Sequence, residues 1–217
     1  IQTHGRGRRG RQWQSSLGEN LTFSFLWRFT KGAAALSGLS LVVGIALIRS
    51  LKKINIHQAL LKWPNDVLIR EENIYKKIAG ILIELQGDMD GQSTAIIGIG
   101  VNTKLSKKQI IKIDQPTTSI SEWTTEPINP NDFLAIVIRD LAEVLAVFEE
   151  SGFNKLKDEW SSYDAFQDQI VNITSGNDIT VQGKALGVDD TGSLEVETED
   201  GLKIFAAGEV SVRSSIQ

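Results

Sequence analysis

The segment at residues 5–11, Gly-Arg-Gly-Arg-Arg-Gly-Arg, is the densest group of chemically useful side chains in the sequence. Its glycines allow the backbone to come close to a ligand and to present N–H groups to it. The arginines between them are fork-shaped donors that suit carboxylates and phosphates. Trp13, two residues further on, offers a flat apolar face for a ring such as adenine. The segment therefore predicts a loop that wraps a small anion.

The same composition is typical of RNA-binding tracts rich in arginine and glycine. Those tracts extend over long low-complexity stretches, whereas this segment leads directly into the alternating apolar run 21–29, which predicts a strand. RNA binding stays an alternative, and it would depend strongly on salt concentration.

A second group, Lys62-Trp63-Pro64-Asn65-Asp66, lies at the end of a predicted strand. The Pro-Asn dipeptide predicts a turn, which would bring the lysine, the amide and the carboxylate together. Such a trio can position a phosphate, a magnesium ion and a ring nitrogen of a ligand. An ordinary turn with a solvated lysine and aspartate explains the same residues.

The third group is a strand that begins with Lys76 and Lys77 and contains Gly80. Glycine inside a strand weakens it unless something must approach the backbone closely. Strict alternation predicts that Lys77 and Gly80 point to opposite faces of the strand. Lysines at the start of a strand are also common as solvated groups. A fourth group, Gly-Ile-Gly-Val-Asn at 98–102, ends a strand in an amide and is not a dinucleotide-binding fingerprint.

Composition excludes several kinds of chemistry. The chain of 217 residues has no cysteine and two histidines, which excludes disulfides, thiolate zinc sites, a cysteine nucleophile and a histidine-rich metal cage. The net charge of −4 argues against general nucleic-acid binding. The charge-free stretch 32–48 is diluted by serine and glycine, so it predicts a buried core helix rather than a membrane span.

The elements that must position these groups form an α+β pattern. Period-two runs predict strands at 21–29, 59–63, 66–69, 78–85 and 94–101, the last two joined as a hairpin. Helices are expected at 33–51, from a cap at Asn131 or Asp132 through Phe148, and at 153–160. After Asp168, short β runs punctuated by glycine (170–174, 179–188, 193–197 and 202–206) predict a small barrel. These patterns place a domain boundary near Gln167.

In this order, GRGRRGR, KWPND, KIAGILIEL, GIGVN and a terminal GEVSVR at 208–213 resemble the bacterial biotin protein ligases over nearly the whole chain. The resemblance implies a class II synthetase-like catalytic domain at 1–167, with a mixed, mostly antiparallel sheet and helices. It also implies a small SH3-like β-barrel at 168–217.

The resemblance further implies an ATP-dependent biotin-(acetyl-CoA-carboxylase) ligase. With Mg²⁺, such an enzyme converts biotin and ATP to biotinyl-5'-AMP and pyrophosphate, and then biotinylates a lysine of a biotin carboxyl carrier protein. Cytoplasmic location and a homodimer formed through a sheet edge are expected with it, without nucleic acid or membrane as partners of this chain.

The roles of individual residues come from the same resemblance. Lys77 and Arg8 are the expected catalytic residues, although the long stretch 70–76 leaves Lys76 as an alternative to Lys77. The residues expected to contact biotin are Gln2, Gly5, Arg6, Gly7, Lys77 and Gly80. The residues expected to bind nucleotide are Arg6, Gly7, Arg8, Arg9, Arg11, Trp13, Lys62, Asn65, Asp66, Asn102 and Arg213. Asp66 is also the expected metal ligand.

The family's Ser-Thr pair for the ureido group of biotin, with its first strand, is expected upstream of Ile1, so we expect the chain to be N-terminally truncated. Some family members carry an upstream helix-turn-helix domain and use the adenylate as a corepressor, which makes a bifunctional ligase and repressor the alternative. Nothing in this chain resembles a recognition helix. A lipoate ligase shares the architecture, but the GRGRRGR and KWPND motifs disfavour it.

Overall fold

A computed structural model describes residues 4–16, 18–87, 91–106, 113, 115–174, 180–207 and 211–214. The described chain is α+β, as the sequence predicts, and the strands in its sheets all pair antiparallel. It begins with a two-stranded hairpin of β1 (Gly5–Arg6) and β2 (Gln12–Trp13). Gln2 lies outside the described residues.

The first large sheet has five strands in the order β3-β7-β6-β5-β4. Its strands are β3 (Asn20–Phe29), β4 (Ala59–Lys62), β5 (Asp66–Glu71), β6 (Ile74–Gly87) and β7 (Ser93–Asn102). The hairpin expected from 78–85 and 94–101 is β6–β7, which extends beyond the expected range at both ends. β3 and β4 are the edge strands of this sheet.

Two helices supply most of the apolar layer on this sheet. Helix α1 (Leu39–Lys53) is shorter than expected, because the preceding Ala33–Leu36 forms a separate 3₁₀ turn. Helix α2 (Pro130–Ser151) is capped by Asn129, whose side chain accepts a hydrogen bond from the N–H of Asn131 at 2.9 Å. The expected cap at Asn131 or Asp132 is therefore wrong by two or three residues, since proline at the first helical position favours an earlier start.

The stretch 32–48 includes residues 39–48 of α1, and all of these except Ser40 are buried. The expectation of a core helix is confirmed at this position. Among the residues that the structure describes, no helix is long and apolar enough to cross a membrane.

The second sheet follows a 3₁₀ turn (Phe153–Leu156) and the short helix α3 (Lys157–Ser161). Its order is β11-β10-β9-β8-β12. The strands are β8 (Ile170–Thr174), β9 (Thr180–Val188), β10 (Leu194–Thr198), β11 (Gly201–Phe205) and β12 (Ser211–Ser214). The pairings among these described residues do not close into a ring, so closure into a barrel stays a prediction.

The two sheets share one apolar core. Val171 and Val196 of the second sheet are fully buried and belong to the same cluster as Ile45 of α1 and Phe133 of α2. Burial of apolar area therefore stabilises the contact between the two sheets as well as each sheet separately.

Candidate functional site

The arginine-rich segment folds as a compact hairpin on the face of the first sheet that the helices leave open. Gly5 pairs with Trp13, and the N–H of Gly7 donates to the carbonyl oxygen of Arg11 at 2.8 Å. The tip is a 3₁₀ turn in which Arg9 has φ +57°. A cavity of about 800 Å³ lies under the hairpin and is also lined by Leu82 and Glu84 of β6.

Trp13 lies directly on a pair of glycines in adjacent strands. Gly80 of β6 pairs with Gly100 of β7. A Cβ added to Gly100 would lie 2.5 Å from Cε2 of Trp13, and one added to Gly80 would lie 3.1 Å from its Cζ3. The close approach expected at Gly80 is therefore made by the indole of Trp13. The indole Nε1 is buried without a hydrogen-bond partner in the described part of the chain.

A β-bulge brings Lys77 to the same face as Gly80. The register of β5 with β6 shifts beside Leu68, so that Ile78 is an extra residue in β6. A Cβ added to Gly80 would lie 3.1 Å from Cε of Lys77. The expectation from alternation, that the two residues face opposite sides, is wrong because the bulge interrupts the period of two.

Asp66 is surrounded by more positive charge than its carboxylate neutralises. Its Oδ1 lies 2.5 Å from Nζ of Lys77 and its Oδ2 lies 4.0 Å from Nζ of Lys62. All three side chains are less than one-fifth exposed. Burial lowers the pKa of Lys62; Asp66 opposes this change, whereas the charges of Lys77, Arg213 and Arg11 add to it. An anion placed here would relieve the repulsion among these cations.

Arg8 connects the hairpin to two other segments. One guanidinium nitrogen donates to Oδ1 of Asn65 at 3.2 Å, and the other donates to the main-chain carbonyl of Ala207. Asn65 is itself fixed, because its Nδ2 donates to the carbonyl of Ile81 at 2.8 Å. Burial lowers the pKa of Arg8, with Asp66 acting in the opposite direction. The guanidinium therefore faces the KWPND turn and the segment that leads to β12.

The other predicted nucleotide residues occupy different environments. Arg6 forms an ion pair with Glu84 at 3.0 Å at the open rim of the cavity, where both side chains are solvated. Arg9 and Arg11 are exposed on the hairpin, and Arg213 is exposed on β12. The structure therefore brings Arg6, Arg8 and Arg11 to one region, with their charges directed at different neighbours.

Asn102 is a buried residue that holds strand ends together. Its amide nitrogen donates to the carbonyl of Lys77 at 3.3 Å and to that of Thr118 at 3.1 Å, and its oxygen accepts from Asn20 at 2.9 Å. The amide nitrogen thus holds the backbone of Lys77 beside that of Thr118, whose N–H donates to the carbonyl of Lys77 at 3.0 Å. Asn102 therefore lies next to the site and supports its backbone, and its expected contact with nucleotide stays a prediction.

Sequence reasoning missed two participants in this site. Glu84 could have been found, since alternation from Gly80 through Leu82 places it on the same face, and a carboxylate there faces an arginine-rich loop. The carbonyl of Ala207 had no sequence signal, because any residue supplies a carbonyl and only the docking of the second sheet brings this one to Arg8.

The donor set around Asp66 does not fit a metal ion held by the protein. Both carboxylate oxygens face lysine ammonium groups, which would repel a divalent cation. Within the described ranges, no group of three or more histidine, aspartate or glutamate side chains could hold a metal. The site is built to receive negative charge.

Comparison with known proteins shows to which protein family this fold and site belong. The Biotin/lipoate A/B protein ligase family matches residues 1–102, and the Biotin protein ligase C terminal domain matches residues 168–213. The chain is 31% identical to the biotin-(acetyl-CoA-carboxylase) ligase of Paracoccus denitrificans over 210 residues, covering 95% of this chain and 85% of that protein. The chain belongs to the biotin protein ligase family.

Two further relatives support the same family assignment. The chain is 35% identical to the bifunctional ligase/repressor BirA of Escherichia coli K12 over 214 residues, which is 99% of this chain and 65% of that protein's length. The biotin protein ligase of Aquifex aeolicus, solved in complex with biotin and ATP, superposes with a TM-score of 0.81 at 31% identity, covering 99% of this chain and 86% of that one. The family resemblance read from the motifs is confirmed.

Proposed function

We propose that the protein is an ATP-dependent biotin protein ligase, which activates biotin as biotinyl-5'-AMP and transfers it to a lysine of the biotin carboxyl carrier protein of acetyl-CoA carboxylase. The observation that carries the proposal is the excess of buried positive charge around Asp66, beneath the indole of Trp13. The relatives support it, since one is named for this reaction and another was solved with biotin and ATP.

The first step joins two anions, which explains the need for fixed cations. A carboxylate oxygen of biotin attacks the α-phosphorus of ATP, and the bond to pyrophosphate breaks. Lys77 contacts both reacting anions in this proposal, because its ammonium stands between Asp66 and Gly80. Arg8 holds the phosphate of the product. Donors that are already oriented stabilise the charge that develops in the transition state.

In the second step the neutral amine of the carrier lysine attacks the carbonyl carbon of the mixed anhydride. The new amide bond forms, AMP leaves, and the nitrogen releases a proton. Until the carrier arrives the anhydride must be protected from water. The hairpin at residues 5–13 is suited to this, since it already covers the sheet above Gly80 and Gly100.

Biotin and the nucleotide are proposed to bind in different parts of the site. In our proposal biotin occupies the cavity under the hairpin, beside Gly5, Gly7 and Arg6, and its carboxylate reaches toward Lys77 and Gly80, which lie next to the cavity beside the indole of Trp13. Gln2, outside the described residues, completes this group. The nucleotide lies toward the KWPND turn. Its contacts would be Arg6, Gly7, Arg8, Arg9, Arg11, Trp13, Lys62, Asn65, Asp66, Asn102 and Arg213.

Magnesium enters this scheme as part of the substrate Mg-ATP. The lysines that face Asp66 disfavour a resident ion at that carboxylate. Lys62, Lys77 and Arg8 would therefore act on phosphate oxygens directly, and Asp66 would orient the two lysines.

We also propose a two-domain organisation at 1–167 and 168–217, a cytoplasmic location and a homodimer formed through the edge of the first sheet. The position of β3 supports the homodimer, because within the described residues β3 is an edge strand, and its Leu26 is 57% exposed.

The function is tested by incubating the protein with labelled biotin, Mg-ATP and a carrier domain. We expect label on one carrier lysine and none on a carrier in which that lysine is arginine. Labelled lipoate should not compete; efficient competition would favour a lipoate ligase. An absence of both adenylate and transfer would contradict the proposal.

A bifunctional ligase and repressor is the second candidate, and the name of the Escherichia coli relative favours it. The chain aligns with 65% of that protein. Sequencing the gene upstream of Ile1 and testing the full-length product for adenylate-dependent binding to operator DNA would decide between a plain and a bifunctional ligase.

A further inference from the structure

The turn between β9 and β10, residues 189–193, inserts into the body of the first domain. The indole Nε1 of Trp63 donates to the carbonyl of Gly192 at 3.0 Å, and Trp63 is 2% exposed. A buried indole N–H that finds this one acceptor would be costly to leave unpaired. The tryptophan of the KWPND motif thus faces away from the site and contacts the second sheet.

The 189–193 turn packs closely against the start of α1 and the residues just before that helix. Gly192 has φ +80°, and a Cβ added to it would lie 2.9 Å from Cα of Gly38 and 2.9 Å from Cδ1 of Leu41. The hydroxyl of Ser37 donates to the carbonyl of Thr191 at 2.6 Å. The segment just before α1 and the start of that helix therefore form a socket for the turn.

The turn has a fixed shape of its own. Oδ1 of Asp189 accepts from the N–H groups of Thr191 and Ser193 at 2.8 and 2.9 Å, and the main chains of Asp189 and Ser193 are also hydrogen-bonded. A preformed turn loses little conformational entropy when it docks.

The docked turn is connected to the anion site through a few covalent bonds. Trp63 lies between Lys62 and the Pro64-Asn65 turn, and the carbonyl of Pro64 accepts from the hydroxyl of Ser40 on α1 at 2.8 Å. The second sheet also reaches the site directly, where Ala207 accepts from Arg8. Trp63 and Arg8 thus hold two different parts of the second sheet, Gly192 and Ala207 respectively.

We infer that Trp63 is a positioning residue, which docks the 189–193 turn and thereby holds the second sheet, with Ala207 and Arg213, against the nucleotide part of the site. The inference rests on the proposed function for its kinetic consequence and on the contacts above for its structure. Loosening this dock should weaken ATP binding and adenylate retention, whereas biotin, bound under the hairpin, should be affected much less.

Two glycines of the second sheet provide a matched pair for the test. Gly192→Ala and Gly201→Ala both place a side chain at positive φ, +80° and +105°. Among the described residues only the first side chain meets neighbouring atoms, since no described atom lies within 4 Å of a Cβ at Gly201. We expect Gly192→Ala to raise the KM for ATP more than Gly201→Ala does, with the Kd for biotin unchanged in both. Equal KM values for the two variants would overturn the inference.

Trp63→Phe removes the N–H and retains an aromatic ring, so it can test the same contact if Gly192→Ala fails to fold. We expect a rise of about 3- to 10-fold in the KM for ATP, as for loss of one buried hydrogen bond. The effect should be smaller in an Arg213→Ala background, since docking acts partly through that residue. Full additivity of the two changes would contradict the role assigned to Trp63.

Hydrogen exchange separates this inference from the proposed function. Trp63→Phe should accelerate amide exchange in residues 189–193, relative to the wild-type protein and to Gly201→Ala, whether or not adenylate forms. Faster exchange in Trp63→Phe, together with a wild-type protein that has no ligase activity, would support the docking role of Trp63 and refute the proposed function. Unchanged exchange of residues 189–193 in Trp63→Phe, together with an active wild-type enzyme, would refute only the docking role of Trp63.

Discussion

The ammonium of Lys77 lies 2.5 Å from Oδ1 of Asp66, and it does so because a bulge at Ile78 brings Lys77 to the site face of its strand. The pair is less than one-fifth exposed, and Lys62 approaches the other oxygen of the same carboxylate. One internal anion thus keeps two cations in place. An incoming carboxylate or phosphate can share these cations without a large rearrangement.

Replacing Lys77 tests the assignment of the central cation. Lys77→Ala should reduce adenylate formation by roughly 10²- to 10³-fold, the usual loss when one electrostatic donor to a transition state is removed. Lys76→Ala is the control, since Lys76 is paired with Glu71 away from Asp66. Biotin-dependent exchange of pyrophosphate into ATP measures the step. A defect in the Lys76 variant as large as that in the Lys77 variant would reverse the assignment.

Arg8 should act mainly on the product of the first step. Arg8→Gly removes charge-assisted hydrogen bonds to the adenylate phosphate, so release of the adenylate should become roughly 10- to 100-fold faster while its synthesis continues. Arg139→Ala is a suitable control, because Arg139 is an exposed arginine on α2 that takes no part in the proposed site. Retention of labelled adenylate during rapid filtration gives the rate. Equal retention by the wild type and Arg8→Gly would contradict this role.

A methyl group at Gly100 should displace Trp13. Its Cβ would lie 2.5 Å from Cε2 of the indole, and Trp13 pairs with Gly5 in the hairpin that lines the proposed biotin cavity. Gly100→Ala should therefore shift the hairpin, weaken biotin binding and cost about 1–3 kcal/mol of unfolding free energy. Gly98→Ala is the comparison, since among the described residues its Cβ would meet only Leu82, with the nearest atom at 3.3 Å. Calorimetric titration with biotin and urea denaturation measure the two effects. Tight biotin binding by Gly100→Ala would show that the indole can move without consequence.

Asp164 should make stability depend on pH. Burial raises the pKa of Asp164 to about 6, against an ordinary value of 3.8. Its Oδ1 accepts from the N–H of Phe166 at 3.0 Å, whereas Oδ2 has no hydrogen-bond partner within the described residues. The folded state therefore prefers the protonated acid. This group's contribution to stability is complete below pH 3.8 and is lost as the pH rises through about 6.

Asp164→Asn removes that dependence. At pH 7.5 its free energy of unfolding should exceed that of the wild type by up to ~3 kcal/mol, and the difference should disappear near pH 4. Urea denaturation at several pH values measures it. Asp168→Asn is the control: Asp168 is exposed, its pKa is lowered by Lys184, and asparagine tolerates its φ of +62°. A difference between wild type and Asp164→Asn that does not change with pH would contradict the prediction.

The sequence by itself determined the family, the α+β class and most element positions. The motifs at 5–11 and 62–66 were sufficient because their chemistry is local: glycine beside arginine, and a turn that joins a lysine to a carboxylate. Helix and strand periods were likewise local. The misplaced start of α2 came from giving a cap to Asn131 or Asp132 when Asn129 precedes a proline.

Tertiary structure decided which side chains meet. Lys77 faces Gly80 only because β5 pairs with β6 around an extra residue, and this register depends on a strand elsewhere in the chain. Trp13 covers Gly80 because the hairpin folds onto the sheet, and Arg8 reaches Ala207 because the second sheet docks beside Trp63. Each of these relationships joins segments far apart in sequence, and packing between those segments, rather than the pattern within any one of them, sets the geometry of the site.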